Sequence, residues 1–323
     1  MRYLTFSKQL REECKNFLRV KYISPFESFL YLFKRVTFVG WGKKRSGVLA
    51  VLFAKLFRKK FLLLEDGFIR SIGLGVENSP RFSLVFDDIG IYYDATVPNR
   101  LENILNSYDF KSDRELIKTS KEAIEKIIKY KISKYNSFKK YDLSFLDTPQ
   151  KKVLIVAQTL NDSSLKYGLA DRFSTKEIIE DVIRDNPNSK IYLKIHPDVL
   201  VGKKKSDISL EDIPKSVTIL KENINPIELL EYFDRVYTKT SGMGMEALLL
   251  KKEVYCYGMP FYAGWGLTYD KIKIKRRERR LSIYELFAGA YILYTKYYNP
   301  YTNKKANVLD IIEFIKERSL MKS

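Results

Sequence analysis

Carboxylates stand where two buried strands are predicted to end, and strand ends are where open α/β sheets hold their ligands. Glu65 and Asp66 follow the apolar run 61–64 and precede a glycine. Two adjacent carboxylates beside a turn can act as a general acid and base. A turn with two solvated acids is the alternative, and the residues alone do not decide between the two.

A third carboxylate, Asp162, follows the strand predicted at 152–157 and stands among neutral polar residues, with Gln158 shortly before it. An isolated carboxylate at the edge of a cleft is a candidate nucleophile. The same residue could instead cap the helix that follows it. The sequence leaves both interpretations open.

The chain has one histidine, His196, directly after the strand predicted at 191–195. Pro197 favours an extended backbone at His196, which directs the imidazole outward from the strand end. An imidazole can donate a hydrogen bond to a phosphate, and the phosphate would favour the protonated ring. A capped histidine on the surface is the alternative.

Residues 240–248 read as a small polar turn that leads into a helix from about 244 to 250. The free N–H groups of such a helix start suit a phosphate, although the glycines could serve the turn alone. The strand predicted at 253–257 leads into a second loop, which carries Phe261, Tyr262 and Trp265. Large aromatic residues are costly in a loop unless they cover a partner, so we predict that this loop takes part in binding.

Alternating strands and helices position these groups. In the first half the pattern predicts helix over 1–34, a strand at 35–40, a helix at 47–57, a hairpin at Asp87 and Asp88, and a helix at 113–135. The second half adds strands at 152–157, 191–195, 217–220 and 235–238, with helix starts at Ser174 and Asn225. The segment 136–150 is polar and connects the halves. We therefore predict an α/β fold with two Rossmann-like domains, residues 1–145 and 146–323, facing a central cleft, with the last helices packing back on the first domain.

The composition indicates a globular protein with an anionic partner. Of the 323 residues 45% are hydrophobic, and 58 basic against 39 acidic residues give a net charge of +19. Such an excess suits nucleic acid, a membrane surface or a phosphorylated substrate, although a general enrichment in lysine also contributes. No helix-turn-helix, zinc-finger or RNA-binding signature supports nucleic acid. The basic run 271–280, interpreted as a strand, could be a solvated edge or a patch for anions or lipid headgroups.

Location is predicted from cysteines and apolar runs. Cys14 and Cys256 are far apart and fit no metal spacing, so we expect reduced thiols in a cytosolic protein. The start of the chain lacks the apolar core of a signal peptide. The longest apolar runs, 48–54 and 286–294, are too short to cross a bilayer. A membrane would therefore be met from its surface.

Five stretches together resemble the KpsC-type capsule polysaccharide biosynthesis proteins. They are WGKKRS at 41–46, EDGFIRSIGLG at 65–75, GIYYDA at 90–95, KIHPD at 194–198 and YGMPFYAGWGL at 257–267. Members of this family usually carry two transferase modules in tandem, and this chain has one, which looks more like the N-terminal module. The resemblance implies a GT-B-like fold and a retaining transferase of Kdo, an acidic sugar. A non-catalytic module that binds a nucleotide sugar or polysaccharide is the alternative.

The resemblance also implies substrates and location. The donor would be CMP-β-Kdo, with no cofactor and no metal. The acceptor would be phosphatidylglycerol that bears or receives Kdo, and the enzyme would sit peripherally on the cytoplasmic face of the inner membrane, among other capsule biosynthesis proteins.

Residue roles carry over from the resemblance as well. Asp162 would attack the anomeric carbon, and Glu65 or Asp66 would serve as acid or base toward the acceptor. One departure is Asn161-Asp162, where the family carries two acids, which makes the neighbourhood of Asp162 less acidic. The donor carboxylate would be neutralised by Lys194, Lys166 or Arg70. The remaining donor-binding set is Gln158, His196, Pro197, Thr240, Ser241, Gly242, Glu246, Tyr257, Tyr262 and Trp265.

Overall fold

The structure is a computed structural model that describes residues 2–73, 79–137, 139–195, 199, 202 and 204–321. These residues form two large sheets flanked by helices, and a two-stranded pair. The predicted α/β class with two Rossmann-like sheets is confirmed.

The strands, in chain order, are β1 (Arg2–Thr5), β2 (Val20–Tyr22), β3 (Val36–Trp41), β4 (Lys60–Asp66), β5 (Ser71–Ile72), β6 (Ser83–Asp87), β7 (Tyr135–Asn136), β8 (Lys152–Val156), β9 (Lys190–Lys194), β10 (Val217–Leu220), β11 (Arg235–Thr238), β12 (Glu253–Cys256), β13 (Tyr269–Asp270), β14 (Thr295–Asn299) and β15 (Lys304–Ala306).

The helices are α1 (Lys8–Cys14), α2 (Arg45–Leu56), α3 (Arg100–Ser107), α4 (Arg114–Lys129), α5 (Ser163–Tyr167), α6 (Thr175–Asp185), α7 (Pro226–Leu230), α8 (Met243–Leu249), α9 (Ile283–Phe287) and α10 (Val308–Leu320). Short 3₁₀ turns lie at Phe26–Tyr31, Ser144–Leu146 and Leu210–Asp212, and a π-helical turn lies at Ala288–Leu293.

The first sheet has the order β15-β14-β6-β4-β3-β1-β2. Its strands β2, β1, β3 and β4 are parallel, whereas β6, β14 and β15 each run antiparallel to their neighbours. All six residues of β3 are buried, as expected for a central strand covered on both faces. Glu65 and Asp66 are the last two residues of β4, which places them at the end of this parallel set.

The second sheet is wholly parallel, with the order β10-β9-β8-β11-β12-β13. Counted from β8, this is the Rossmann order 3-2-1-4-5-6. The strand order therefore reverses between β8 and β11. The crevice at the carboxyl ends of these two strands is the place where such sheets bind ligands.

The two helix starts predicted in the second half are present in the structure. Ser174 forms a capping box with Glu177 at the start of α6, and Asn225 caps α7 with Pro226 in its first turn. Each cap supplies acceptors for N–H groups that the helix itself cannot satisfy.

Three of the predictions made from the sequence are wrong. Residues 2–31 hold two strands as well as a helix, because strands of three or four residues are too short to show a period. The turn at Asp87 and Asp88 is not a hairpin, since β6 pairs with β4 and with the distant β14. The buried Asp87 carboxylate accepts from the N–H groups of Ile89, Gly90 and Arg100. Its oxygens thereby fix the turn that leads toward α3.

The basic run 271–280 is the third correction, because the structure shows turns there and no strand. The arginines of this run form contacts between the second half and the first half of the chain. Arg276 and Arg277 each form an ion pair of 3.1 Å with Glu102, at the start of α3. Arg279 donates to the carbonyls of Leu105, Asn106 and Tyr108. A guanidinium group suits such multiple contacts because its donors are fixed in a plane.

The end of the chain returns to the first sheet. Strands β14 and β15 extend that sheet beyond β6, and α10 packs against α4. The largest cluster of buried apolar side chains also runs through both halves, from Leu63 to Ile315. The two sheets therefore share this cluster, while three smaller clusters each belong to one half.

Candidate active site

Two loops meet at the point where the second sheet reverses its strand order. The backbone N–H of Thr240, after β11, donates to Oε1 of Gln158, after β8, at 2.7 Å. Nε2 of Gln158 donates to Oγ1 of Thr240 at 3.0 Å. The hydroxyls of Ser164 and Thr240 lie 2.8 Å apart. The structure thus brings together two of the predicted donor-binding residues, and it adds Ser164, which sequence reasoning missed.

Ser241 and Gly242 continue this loop into α8. Apart from Gly242 itself, its chain neighbours and the backbone of its own helix, no atom lies within 4 Å of the position that a Cβ of Gly242 would occupy, and this residue is exposed. A Cβ on Gly244, by contrast, would lie 2.1 Å from the hydroxyl of Tyr262. Tyr262 donates to the carbonyl of Ser241 at 2.5 Å. Tyr262 thus stabilises the turn from its buried side, while the exposed side of the turn at Gly242 is open to solvent.

Asp162 caps the short helix α5. Its Oδ1 accepts from the N–H of Ser164 at 2.9 Å, and its side chain is exposed. The preceding Asn161 has a φ of 69°, in the left-handed region that asparagine tolerates better than most residues. The helix-cap alternative is therefore what the structure shows. A carboxylate has two oxygens, however, and one cap hydrogen bond leaves Asp162 able to act on a ligand.

Asp162 lines a cavity of about 690 Å³ that both halves help to form. From the first half Lys43 contributes, two residues after the end of β3. Its Nζ pairs with Asp94 and lies 4.8 Å from the ring centroid of Tyr167. Lys239 lines the cavity from the end of β11 and pairs with Asp207 at 2.6 Å. The other charged lining residues are Lys166, Asp171, Arg172, Glu177 and Asp207.

Lys43, Arg172 and Lys239 were missed as site residues. Lys43 lies in a stretch that carries the family resemblance, and Lys239 directly precedes Thr240, so both could have been found from their positions. Nothing in the sequence around Arg172 indicates that its loop reaches the cavity.

Glu65 and Asp66 lie in different surroundings, although they are neighbours. Asp66 forms ion pairs with Arg81 at 2.6 Å and with Arg70 at 3.3 Å. Burial would raise its pKa, but the charges of Lys134, Arg81 and Arg70 outweigh this and lower it. Glu65 makes no ion pair within 4 Å among the described residues. Burial and the charge of Asp66 raise the pKa of Glu65 to about 7.

Glu65 does not line the cavity itself but lies beside a residue that leads to it. Its Oε2 is 2.7 Å from the position that a Cβ of Gly42 would occupy, and the hydroxyl of Tyr93 is 2.3 Å from the same point. That hydroxyl accepts from the N–H of Lys43 at 2.9 Å. Glu65 therefore lies beside Gly42, which directly precedes Lys43 of the cavity wall.

The charge of Lys134 lowers the pKa values of the acids of the first half and of Glu246 in the second. Burial opposes its charge, but Tyr92, Tyr135, Asp66 and Glu65 raise its pKa. Glu246 is buried and accepts a short hydrogen bond from the hydroxyl of Ser133. Burial raises the pKa of Glu246 to about 7. Sequence reasoning gave Lys134 no role, because it stands in a helix-to-loop transition without a motif.

The aromatic residues that were predicted to bind the donor are buried in the core. Trp265 is fully buried, and its indole N–H donates to the carbonyl of Phe261 at 2.9 Å. Phe261 packs on Phe68 of the first half, with ring centroids 4.6 Å apart. Tyr257 is buried and donates to Asp181 at 2.8 Å. Phe261 covers the first half of the protein, whereas Tyr257 and Tyr262 form hydrogen bonds within the second half, so we assign no ligand contact to Tyr257, Tyr262 or Trp265.

The three lysine and arginine residues considered for the donor carboxylate are placed differently. Arg70 is buried and bonded to Ser71, Ser79 and Asp66. Lys194 is also buried, donates to the carbonyl of Glu222 at 3.1 Å, and has a pKa lowered to about 8 by desolvation. Lys166 alone of the three lines the cavity. His196 and Pro197 lie outside the described residues.

The part of the chain that the structure describes brings together no three His, Cys, Asp or Glu side chains that could bind a metal ion. Within the same residues, no helix combines the length and the apolar character that crossing a bilayer requires.

Comparison with solved structures extends over almost the whole chain. KpsC of Thermosulfurimonas dismutans, described as a beta Kdo 2,4 transferase, is 40% identical with a TM-score of 0.89, and the match covers 98% of each chain. A second structure from the same organism, described as a beta Kdo 2,7 transferase, is 31% identical with a TM-score of 0.76, again over 98% of each chain.

The sequence relatives include capsule polysaccharide proteins as well. The capsule polysaccharide modification protein LipA of Neisseria meningitidis serogroup A is 40% identical over 287 residues, which cover 86% of this chain. This chain spans 40% of the length of that relative. Residues 37–297 match the family described as capsule polysaccharide biosynthesis protein. Since this match covers most of the chain, the protein belongs to the capsule polysaccharide biosynthesis family.

Proposed function

We propose that this protein is a retaining glycosyltransferase that moves Kdo from CMP-β-Kdo to a Kdo-bearing phosphatidylglycerol acceptor. The observation that carries the proposal is the position of Asp162 on a cavity that Lys43 of the first half and Lys239 of the second also line. The likeness to two structures described as Kdo transferases supports the choice of sugar.

In the proposed reaction Asp162 attacks the anomeric carbon of the donor, and the bond from that carbon to the CMP phosphate oxygen breaks. The sugar is then held as an ester on Asp162, and CMP leaves with the bonding electron pair. An acceptor hydroxyl attacks the same carbon, loses its proton to a base and releases the carboxylate. Two successive inversions give overall retention.

Glu65 is the proposed base, rather than Asp66. A group that exchanges protons near neutral pH needs a pKa near the working pH, and that of Glu65 is raised to about 7. Asp66 is held ionised by two arginines, so it is better suited to fixing Arg81 and Arg70. The acceptor hydroxyl is proposed to approach Glu65 beside Gly42, one residue before Lys43 of the cavity wall.

The donor is proposed to lie along the switch point of the second sheet. The exposed Gly242 and the hydroxyls of Ser164 and Thr240 would face the CMP phosphate, and His196 would donate to it. Lys166 is the proposed partner of the sugar carboxylate, because it lines the cavity beside Asp162. The proposal requires no metal ion and no cofactor besides the donor.

We further propose that the linkage is 2→4, because the likeness to the structure described as a 2,4 transferase exceeds that to the 2,7 transferase in both identity and TM-score. The protein would act at the cytoplasmic face of the inner membrane, together with other proteins of capsule assembly.

A non-catalytic sugar-binding module is the second candidate. It is favoured by one observation, the hydrogen bond by which Asp162 caps α5. In that case the cavity would bind CMP-Kdo or a Kdo chain without turnover.

Incubation with CMP-β-Kdo and synthetic acceptors that end in one or two Kdo units tests both candidates. We expect an acceptor extended by one β-linked Kdo, with the linkage read by NMR. Binding of CMP by titration calorimetry without any extended product would instead identify the binding module.

A further inference from the structure

Exposed apolar side chains are concentrated on one surface of the first half. Among the described residues, seventeen large hydrophobic side chains are exposed, and seven of them fall between residues 26 and 56. Phe33 is completely exposed, at 101% of its reference area, and Phe26 is 85% exposed. The seven residues, here called the 26–56 patch, are Phe26, Phe29, Leu30, Phe33, Val48, Leu52 and Leu56.

The patch is continuous across two elements. Val48, Leu52 and Leu56 are spaced by four residues and so share the outer face of α2. The inner face of α2 is buried through Gly47, Ala50 and Ala54. Phe29, from the 3₁₀ turn, packs its ring 5.4 Å from that of Phe57, directly after α2. The turn and the helix thus present one apolar surface to the solvent.

The surroundings of the patch are strongly basic. Residues 19–60 contain eleven lysines and arginines and a single acid, Glu27, which gives a net charge of +10 out of +19 for the chain. Exposed basic residues lie next to the patch in sequence, at Lys34, Arg35, Lys55, Arg58 and Lys60. No carboxylate lies within ion-pair distance of these five among the described residues.

We propose that the 26–56 patch binds the surface of an anionic lipid bilayer. Aromatic and aliphatic side chains enter the boundary between headgroups and acyl chains, while lysines and arginines bind the anionic headgroups. A protein partner is less well matched, because lysine is depleted in protein interfaces. Charge complementarity therefore selects the bilayer as the occupant.

The patch is linked to the cavity by one helix. Lys43 lines the cavity, and α2 begins two residues later at Arg45 and carries the patch along its outer face. This inference deepens the proposed function, because a lipid-linked acceptor would then be presented at the end of α2 nearest the cavity. Vesicle binding requires no turnover, so a failure of the proposed transfer reaction and a failure of the patch are distinguishable.

Co-sedimentation with vesicles tests the patch. The full chain is mixed with phosphatidylcholine vesicles with and without phosphatidylglycerol. We expect binding only with phosphatidylglycerol. Phe33→Ser should weaken it by roughly tenfold, through loss of a buried aromatic side chain, and Lys55→Glu by at least roughly fivefold, the effect of one charge near the surface.

Matched variants lie outside the patch. Leu210→Ser, at a side chain that is 47% exposed, and Lys118→Glu, on α4, should bind vesicles like the unchanged protein. Phe33→Ser should also keep full transfer to a water-soluble acceptor, because Phe33 does not line the cavity. Unchanged vesicle binding by Phe33→Ser and Lys55→Glu would overturn the proposal. So would a dimer in size-exclusion chromatography that Phe33→Ser dissociates, since the patch would then join two copies of the chain.

Discussion

Gln158 and Thr240 are joined by hydrogen bonds of 2.7 and 3.0 Å across the point where the second sheet reverses its strand order. One side-chain amide thereby fixes both the backbone and the hydroxyl of the neighbouring loop. The loop that is proposed to face the CMP phosphate thus owes its shape to a residue on the adjacent strand end.

Gln158→Ala should weaken CMP binding by about tenfold, because the loss of about one net hydrogen bond releases Thr240. Titration calorimetry measures the dissociation constant. Asn186→Ala removes a buried amide at the end of α6, which bonds Val182, Tyr237 and Arg235, the first residue of β11. It should lower the stability and leave CMP affinity unchanged. Equal losses of CMP affinity in the two variants would show that Gln158 acts through stability alone.

The Asp162→Asn variant distinguishes the role of Asp162 as a helix cap from its proposed role as the nucleophile. Asparagine caps a helix about as well as aspartate, so the melting temperature should stay the same, but asparagine cannot form the sugar ester. Transfer should fall by at least roughly 10³-fold, as when other nucleophiles are removed. Asp162→Ala should lose the same activity and, in addition, about 1 kcal/mol of stability. Full transfer by Asp162→Asn would leave the residue with its capping role only.

Glu65 should control the pH dependence of transfer. As a base it must be ionised, and its pKa is raised to about 7. The rate should therefore fall as the pH drops below about 7 and level off above it. Glu65→Gln should remove this dependence and lower the rate by about 10²-fold or more. Asp66→Asn breaks two ion pairs and removes a charge that helps to raise the pKa of Glu65, so it should lower stability and shift the midpoint of the profile to lower pH. A profile with the same midpoint in Glu65→Gln would assign the titration to another group.

Glu246 should make the protein less stable as the pH rises from about 4.5 to about 7. Burial raises its pKa in the folded state to about 7, from 4.5 when exposed. The folded state therefore holds a proton that the unfolded state has already lost between these values, and stability falls as the pH rises through this window. Glu246→Gln should reduce that fall by roughly 1–3 kcal/mol, measured by urea unfolding at pH 5 and pH 8. An unchanged fall would show that Glu246 is not the titrating group.

The second half was predicted more accurately than the first, for a physical reason. Its central parallel strands are covered on both faces and therefore give apolar runs, as at 153–156 and 191–193. The first sheet instead relies on short edge strands and on β14, whose pairing with β6 connects residues far apart in the chain. No local pattern carries that information.

The site residues that follow strand ends could be predicted from the sequence, but the burial and the charged surroundings of site residues could not. Gln158, Asp162 and Thr240 follow directly from the rule that ligands bind at the ends of parallel strands. Burial of the aromatic loop was not foreseen, because a loop sequence does not show that Phe261 will pack against Phe68 of the other half. The surroundings that separate Glu65 from Asp66 depend on Arg81 and Lys134, which only the tertiary fold brings near.

The return of β14 and β15 to the first sheet bears on how the chain folds as it leaves the ribosome. Strand β6 is synthesised early, but its outer neighbour follows only after nearly the whole second half has emerged. Until then β6 is a bare edge with unpaired N–H and carbonyl groups, the kind of edge on which nascent chains aggregate. Chaperones that bind extended strands would therefore be most needed during the synthesis of residues 88–294, and least after β14 has docked.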